Sequence, residues 1–536
     1  MKSLKLYLLA FACIFTMAAA AQKPQQSQGR AQLNAQKFAT ALYLIENYYV
    51  DAADGNDLTE EAIIAMLKEL DPHSAYISKE DVEKANEPLV GSFEGIGVTY
   101  QLIRDTITVI SPTAGGPSER VGIMTGDQIL RIDGEDAFGK KIDNEFVQKR
   151  LRGPKGTKVI VSVKRGNNPE LIDFEITRDK IPLNSINAAY MLDNHVGYIK
   201  LDRFAQESVN EFKEALEKLR AQGMQSLVFD LRGNTGGYLN TAIELVDQFF
   251  DAGKLIVFTE GLHEPRREQK STASGLYTTG NLVVLIDEGS ASASEILTGA
   301  IQDHDRGVVI GRRSFGKGLV QRPFNLPDGA VIRLTTARYH TPSGRCIQRP
   351  YDNGAEEYAQ ELTNRLAHGE YFHADSIHFP DSLKYTTDGG RTVYGGGGIM
   401  PDLFIPVDTA YNSRLYTNLV RKAALTRFTT DYALKHRDAL RAQYGTFEQF
   451  NQEFTVGQDL IDELKSVAEE AQVEWDDAQF ARSEKFLLLQ IKALIARNVW
   501  ETQQYYQVMS AVDQGIQKAL EVLGNNKEYE RILEGN

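Results

Sequence analysis

Cysteine is almost absent from this chain, whose 536 residues include only Cys13 and Cys346. Cys13 lies in an N-terminal segment that we predict to be removed, so the mature chain would have no internal disulfide and no thiol-rich metal site. The nine histidines show no His-Glu-x-x-His or similar ligand spacing. The sequence therefore gives no support to a metalloenzyme.

Excess positive charge and long apolar runs are also missing. The formal net charge of −14 disfavours nucleic acid and anionic membrane surfaces as partners. The apolar run over residues 6–17 is short for a bilayer span, follows two lysines and precedes a run of alanines. This pattern predicts a signal peptide over residues 1–21, cleaved after Ala21, and export to the periplasm or cell envelope. Lipidation of Cys13 is disfavoured because Phe11 is bulky where such sites need a small residue.

The chain is long enough for several domains, and its patterning changes along its length. Residues 22–90 have a polar leader followed by apolar positions at helical spacing. Residues 91–180 contain short strands separated by glycine turns. Over residues 181–414 apolar strands alternate with helices, which predicts an α/β domain with buried strands. The predicted strands include the apolar runs 226–231, 255–259, 282–286 and 308–310. Residues 415–536 are charged and helix-like.

Three serines follow a predicted buried strand in the α/β region, at positions 290, 292 and 294. Ser292 and Glu295 match the Ser-x-x-Glu pattern of a helix start. A hydroxyl at a helix N-terminus lies beside free N–H groups that favour a developing oxyanion, which makes Ser292 a candidate nucleophile. Ser292 could also be only a helix cap. Ser290 and Ser294 are alternatives that the local pattern does not exclude.

A candidate base for this serine is Lys317, which lies in a glycine-flanked apolar segment and is followed by Gln321. A lysine can act as a base when apolar surroundings lower its amine pKa. If residues 317–321 form a strand, Lys317 and Gln321 share one face, so that the amide can orient the amine. The alternative is an ordinary surface lysine.

Two other arrangements could supply the same chemistry. Ser314 and Lys317 match the Ser-x-x-Lys of β-lactamases, but the glycines around them disfavour the helix that this motif needs. His304 is a second candidate base for Ser292. It would lie about 18 Å further along a continuous helix, which is too far to reach.

A paired glycine, Gly236 and Gly237, ends the segment of residues 230–237 directly after a predicted strand. Two adjacent glycines permit positive φ and close backbone approach. This turn could give a backbone N–H to an oxyanion, although isolated Gly-Gly pairs are also typical of tight turns.

Together these segments resemble the carboxy-terminal processing peptidases, also called tail-specific proteases, over about residues 36–405. Further segments at family-like positions are residues 70–74, 91–98, 339–345 and 398–402. The resemblance implies that Ser292 is the nucleophile, Lys317 the general base and Gln321 its orienting partner. It implies that the oxyanion hole is formed by Gly236, Gly237 and Ala293.

The resemblance also implies a fold and a substrate class. The expected fold is multidomain α/β, with a helical N-terminal segment, a PDZ domain over residues 91–180, a ClpP/crotonase-like Ser-Lys peptidase core and a helical C-terminal extension. PDZ domains add an extended peptide to a strand edge and capture its terminal carboxylate. The expected peptide-binding residues are Gly95, Ile96, Gly97 and Val98. We therefore expect an endopeptidase acting on proteins with exposed apolar C-termini, without a metal or nucleotide cofactor.

Two other classes of function remain open from the sequence. A non-catalytic PDZ scaffold would bind protein tails without cleaving them, which the presence of Ser292, Lys317 and Gln321 disfavours. A serine-dependent hydrolase of non-protein amides would not need the PDZ domain. We expect any homo-oligomer to form through the terminal helices.

Overall fold

The computed structural model describes residues 29–139, 142–166 and 168–535. The predicted signal peptide and Cys13 lie outside these described residues. The chain divides into two compact units, the first with residues up to 79 and 323–334, the second with residues 80–322 and those from 335 onward. Within the described ranges, no helix has both the length and the apolar character needed to cross a membrane.

Among the described residues of the first unit, those up to 79 form two helices and a short strand. Its elements are α1 (residues 29–48), α2 (Gly55–Lys68) and β1 (Ala75–Ile77). The Asp54 carboxylate caps α2 by accepting the N–H groups of Asn56 and Asp57. β1 pairs antiparallel with residues 331–333. Large apolar side chains of both helices are exposed, including Leu33, Phe38, Tyr43, Leu44, Tyr48, Leu58, Ile64 and Met66.

The predicted PDZ segment forms a small β domain with its own core. Strand β3 lies at the edge of a sheet ordered β3-β4-β5-β7-β8, while β2 pairs separately with β9. Ile107, Val109, Ile129 and Val161 are fully buried in this core. The elements here are α3 (Val82–Val90), β2 (Ser92–Gly95), β3 (Val98–Ile103), β4 (Thr106–Pro112), α4 (Pro117–Val121), β5 (Gln128–Ile132), β6 (Glu135–Asp136), α5 (Asn144–Leu151), β7 (Lys158–Lys164), β8 (Ile172–Thr177) and β9 (Asp179–Pro182).

The α/β region is built on a six-stranded sheet ordered β10-β11-β12-β15-β16-β21. All of its neighbours pair in parallel except β10 and β11. Its elements are β10 (Ile186–Met191), β11 (Val196–Leu201), α6 (Ser208–Ala221), β12 (Ser226–Asp230), α7 (Leu239–Asp247), β13 (Leu255–Gly261), β14 (Glu264–Lys270), β15 (Leu282–Ile286), α8 (Ala293–Asp303), β16 (Val308–Gly311), β17 (Leu319–Asn325), β18 (Val331–His340), α9 (Ala355–Ala367), two 3-10 turns (Ala374–Ser376 and Asp381–Leu383), β19 (Lys384–Thr386), β20 (Thr392–Tyr394) and β21 (Leu403–Phe404).

Both faces of this central sheet are covered, because alternate residues of each strand point to opposite sides. Leu227, Phe229 and Val284 face a core formed with α6, α7 and α8. Val228 and Val283 face the other side, against helices α16 (Gln514–Leu523) and α17 (Asn526–Glu534) near the C-terminus. Parallel strands that are buried on both faces have continuous apolar sequences, which is why the sequence predicted them.

The C-terminal region is entirely helical and forms two packing units. Helices up to α15 enclose a core that includes Phe428, Phe450, Leu464, Leu487 and Ile491. Helices α16 and α17 instead cover the central sheet, and therefore complete the α/β core. The elements are α10 (Arg414–Arg421), α11 (Ala424–Tyr444), α12 (Phe447–Glu453), α13 (Gln458–Glu470), α14 (Asp477–Val499), α15 (Thr502–Met509), α16 (Gln514–Leu523) and α17 (Asn526–Glu534).

The packing of α16 predicts that its apolar face stabilises the α/β core. Ile516 is 2% exposed and lies in the cluster formed with the central sheet. We expect Ile516→Ala to lower the free energy of unfolding by about 2–5 kcal/mol, as buried isoleucines do when truncated. Thermal unfolding of the full chain measures this. Glu521→Ala on the exposed side of the same helix is the control, and equal melting temperatures for both variants would contradict the prediction.

Candidate active site

The predicted site residues lie in segments that follow three neighbouring parallel strands, at one edge of the sheet. β12, β15 and β16 lie side by side, and all three run in the same direction. The segment with Gly236 follows β12, Ser292 follows β15 and Lys317 follows β16. The carboxyl ends of adjacent parallel strands form the usual binding edge of an α/β sheet. The topology therefore brings these three segments together, although 81 positions separate Gly236 from Lys317 in the chain.

Ser292 occupies a strained backbone conformation at the start of α8. Its φ and ψ are 56° and −111°, a combination that residues with a Cβ rarely adopt and that costs about 1–3 kcal/mol. A Cβ added to Gly236 would lie 2.9 Å from Ser292 Cβ and 2.8 Å from the Ala291 carbonyl oxygen. The turn after β12 can therefore approach this serine only because position 236 is glycine.

The alternative serines are buried and their hydroxyls are already used. Ser290 and Ser294 are 0% exposed. Ser290 Oγ donates to the Leu231 carbonyl and Ser294 Oγ to the Asn234 carbonyl, both at 2.8 Å. Ser292 is the one serine of the three that is partly exposed. The structure thus favours Ser292 where the sequence left three candidates.

The two rival arrangements do not fit the structure. Ser314 is buried, its hydroxyl donates to Glu295 Oε1 at 2.5 Å, and residues 313–318 are not helical. The helical Ser-x-x-Lys geometry is therefore missing. His304 caps the opposite end of α8 from Ser292, and its ring nitrogens contact Asp388 Oδ2 and the Leu255 carbonyl.

Glu295 makes more contacts in the site than the sequence indicated. The capping pattern predicted its contact with Ser292, whose N–H donates to Glu295 Oε2 at 2.8 Å. The same buried carboxylate also accepts the Lys317 N–H at 2.9 Å and the Gly316 N–H at 2.7 Å. Burial raises the pKa of Glu295, while its hydrogen bonds to Ser314 and to these N–H groups act in the opposite direction. One carboxylate therefore joins the serine segment to the lysine segment.

Lys317 precedes β17 by two residues, so the predicted strand over residues 317–321 begins later than expected. The glycines on both sides of the lysine keep this stretch irregular, and the argument that Lys317 and Gln321 share a strand face does not apply. Gln321 lies within β17, and its amide donates to Thr335 Oγ1 at 3.2 Å. The contact between Gln321 and Lys317 stays a prediction.

The two N–H groups of the Gly-Gly turn differ in their hydrogen bonding. The Gly236 N–H donates to Asn234 Oδ1 at 2.9 Å, so the predicted oxyanion role of Gly236 does not fit this hydrogen bond. Among the described residues, no backbone–backbone hydrogen bond uses the N–H of Gly237 or Ala293. These two groups, at the turn and at the first residue of α8, are the candidate oxyanion donors.

A buried ion pair holds the start of that turn. The Arg232 guanidinium donates to both carboxylate oxygens of Asp230 and to Asp513 Oδ1, just before α16. Burial alone raises the pKa of Asp230, but the charges of Arg232 and Lys200 hold it well below its usual range. The sequence gave no signal for Asp513, because its partner lies 281 positions away.

A cavity of about 800 Å³ lies beside the turn after β12 and contains Gln321 in its wall. Apolar side chains contribute much of the lining, and charged side chains such as Glu244 and Arg322 also take part. The apolar members are Leu239, Ile243, Val257, Val320 and Ala337. A cavity of this size and composition can hold side chains of an extended peptide.

The predicted PDZ domain has an edge strand, β3, which pairs on only one side among the described residues and lies next to helix α5. Tyr100 on β3 contacts Asn144 on α5 through a hydrogen bond of 3.2 Å. The preceding loop is fixed because the Ile96 carbonyl accepts the N–H and the hydroxyl of Ser118. Ile96 is 1% exposed and lies in the domain core, whereas Val98 is partly exposed. Peptide binding by Gly95, Ile96, Gly97 and Val98 stays a prediction.

Comparison with known families assigns most of the chain to domains. The model for peptidase family S41 matches residues 195–354, and the PDZ domain model matches residues 95–176. Residues 12–81 match the N-terminal domain of the activating protease CtpB, and residues 415–501 match a family of unknown function. With the helical C-terminal region, these matches confirm the predicted multidomain α/β fold class.

Two sequence relatives and one solved structure are among the proteins similar to this chain. A CtpA-like serine protease of Staphylococcus aureus (strain N315) is 36% identical over 318 residues, which is 59% of this chain and 63% of that relative's length. A carboxy-terminal-processing protease of Bartonella bacilliformis is 36% identical over 317 residues, which is 58% of this chain and 72% of the relative. The structure of a photosystem II D1 C-terminal processing protease is similar with a TM-score of 0.34 and 28% identity, covering 58% of this chain and 89% of the other. On the match to the Bartonella bacilliformis relative, of which it covers 72% at 36% identity, this chain belongs to the carboxy-terminal-processing proteases of peptidase family S41.

Proposed function

We propose that this protein is a serine endopeptidase in which Ser292 is the nucleophile, Lys317 the general base and Gln321 the residue that orients the lysine. The observation that carries the proposal is the placement of Ser292. It is the partly exposed serine at the strained start of α8, and its N–H shares the Glu295 carboxylate with the N–H of Lys317. Membership of the S41 family supports the same assignment.

The proposed reaction proceeds through an acyl-enzyme. Ser292 Oγ attacks the scissile carbonyl carbon while its proton passes to the neutral amine of Lys317. The N–H groups of Gly237 and Ala293 stabilise the oxyanion of the tetrahedral intermediate. When that intermediate collapses, the C–N bond breaks and the lysine returns the proton to the leaving amine. Water then hydrolyses the ester by the same two steps in reverse, and no metal or nucleotide takes part.

The substrates in this proposal are proteins with exposed apolar C-termini. The open edge of β3 offers unpaired backbone groups to an extended tail, as in other PDZ domains. The apolar part of the cavity that Gln321 lines suits apolar side chains of a bound peptide. Incubating the full chain with a denatured protein substrate, with Ser292→Ala as the control, tests the activity itself.

Tail recognition predicts that a free C-terminal carboxylate strengthens binding. Hydrogen bonds to a charged group are worth about 1.5–3 kcal/mol, so amidating a substrate peptide should weaken its binding about tenfold or more. Fluorescence anisotropy with Ser292→Ala measures this without turnover, on a free-acid peptide and its amide. Replacing the last apolar residues by aspartate should weaken binding further. Equal affinity for acid and amide would contradict tail recognition and leave the peptidase chemistry intact.

Location and assembly are also part of the proposal. The N-terminal pattern of residues 1–21 supports export to the periplasm or cell envelope, which cell fractionation and N-terminal sequencing of the mature protein would test.

Exposed apolar side chains on α1 and α2 support a homo-oligomer formed through the terminal helices. Light scattering on wild type and on Phe38→Glu would test it, and a monomeric wild type would contradict it.

A further inference from the structure

Two buried side chains connect the backbone of Ser292 to the backbone of Lys317. Glu295 Oε2 accepts both N–H groups, from Ser292 at 2.8 Å and from Lys317 at 2.9 Å. The Tyr339 hydroxyl contacts both carbonyl oxygens, that of Lys317 at 2.6 Å and that of Ser292 at 3.1 Å. The two residues of the proposed catalytic pair are therefore joined twice, once through their N–H groups and once through their carbonyls.

The two bridging side chains add to other hydrogen bonds between these segments, such as the one from the Phe315 N–H to the Ser290 carbonyl at 2.9 Å. What they add is a direct link between the two residues of the proposed catalytic pair. Ser292 starts a helix, whereas Lys317 lies in an irregular stretch between β16 and β17. Reacting groups must be held to within about 0.5 Å of the productive geometry by supporting residues. An irregular segment without such support would let the lysine drift from the serine.

Both bridging groups are placed to resist replacement by water. Glu295 is 0% exposed and Tyr339 is 1% exposed. Tyr339 lies in β18, where its own N–H donates to the Gly318 carbonyl at 2.9 Å, so backbone and side chain hold the same stretch. Burial raises the pKa of Tyr339 well above its ordinary value, which keeps its hydroxyl protonated and able to donate.

We propose that Glu295 and Tyr339 are positioning residues that together set the spacing between Ser292 and Lys317. This inference rests on the proposed Ser-Lys mechanism and adds two residues to it. Neither residue needs to touch substrate for this role. Their loss should therefore lower kcat and the reactivity of Ser292, while KM and tail binding stay close to those of the wild type.

The experiment uses the full chain with Tyr339→Phe and Glu295→Gln. Tyr339→Phe removes one hydroxyl and keeps the ring that fills the core. Glu295→Gln keeps the side-chain shape but replaces one acceptor oxygen with an NH2 group. This group cannot accept the hydrogen bonds that the backbone N–H groups donate to the carboxylate. The matched control is Tyr529→Phe, since Tyr529 is also buried and its hydroxyl bonds the backbone of Leu282, away from the site.

The readouts separate positioning from stability. An alkyl fluorophosphonate labels the nucleophile by forming an Oγ–P bond with loss of fluoride, so its rate reports Ser292 reactivity without a physiological substrate. We expect this rate and kcat to fall about 10- to 100-fold in Tyr339→Phe, because small misplacements cost that much. Glu295→Gln should lose at least as much. Tyr529→Phe should match Tyr339→Phe in melting temperature and keep wild-type labelling.

The outcomes distinguish this inference from the proposed function. If Ser292→Ala is inactive but Tyr339→Phe labels and turns over as fast as Tyr529→Phe, positioning by Tyr339 is wrong and the Ser-Lys mechanism stands. If Ser292→Ala retains turnover, the proposed mechanism fails first. The double variant tests whether Glu295 and Tyr339 act together. If they act as one unit, its kcat and labelling rate should fall little further than those of the worse single variant. A loss equal to the product of the two single losses would overturn joint positioning.

Discussion

Replacing Ser292 with alanine is expected to abolish proteolysis and to leave the protein folded. The hydroxyl is the partly exposed one among the three serines at the end of β15, so no neighbour can replace it. Loss of a catalytic nucleophile lowers kcat by about 10⁴-fold or more in serine peptidases. Losing the helix cap should cost only about 1 kcal/mol of stability. Degradation of a denatured substrate and thermal unfolding measure the two effects.

The neighbouring serines provide matched controls for this variant. Ser290→Ala and Ser294→Ala each remove a hydroxyl that donates to a backbone carbonyl in the core. Each should cost about 1–3 kcal/mol of stability, because a carbonyl is left without its donor, and each should keep measurable turnover. An active Ser292→Ala beside an inactive Ser290→Ala or Ser294→Ala would move the nucleophile to that position.

Replacing Lys317 with arginine is expected to be as damaging as replacing it with alanine. A guanidinium keeps its proton in proteins and cannot accept one from the serine hydroxyl, so retaining the positive charge does not help. General-base catalysis contributes about 10²–10⁴-fold, and both variants should lose at least that much in kcat. Steady-state turnover of the two purified variants gives the comparison.

The exposed lysine Lys254 provides the control for this exchange. It pairs with Asp388 on the surface, and Lys254→Arg should keep wild-type turnover. Both Lys317 variants should also bind a free-acid tail peptide as tightly as Ser292→Ala does, because the PDZ domain is unchanged. A near-normal rate for Lys317→Arg would show that position 317 supplies charge or structure and not a base.

The sequence by itself determined the order of domains and the positions of the buried strands. The runs 226–231, 282–286 and 308–310 correspond to β12, β15 and β16 within a residue at each end. Strands covered on both faces must be apolar throughout, so their pattern is visible without any partner. The sequence also showed that the candidate segments come after these strands. That the segments meet at one edge depends on the sheet order, which only the structure gives. The Ser-x-x-Glu pattern gave the contact between Glu295 and the Ser292 N–H.

Only the tertiary structure decided which polar groups remain available for chemistry. The Ser290 and Ser294 hydroxyls are taken by the carbonyls of Leu231 and Asn234, about 60 positions away in the chain. The Gly236 N–H is used by a side chain of its own turn, and Tyr339 and Asp513 reach the site from distant segments. Exposure and hydrogen bonding depend on neighbours in space, which local patterns do not specify. For the same reason, the sequence did not show that helices α16 and α17 cover the central sheet and belong to its core.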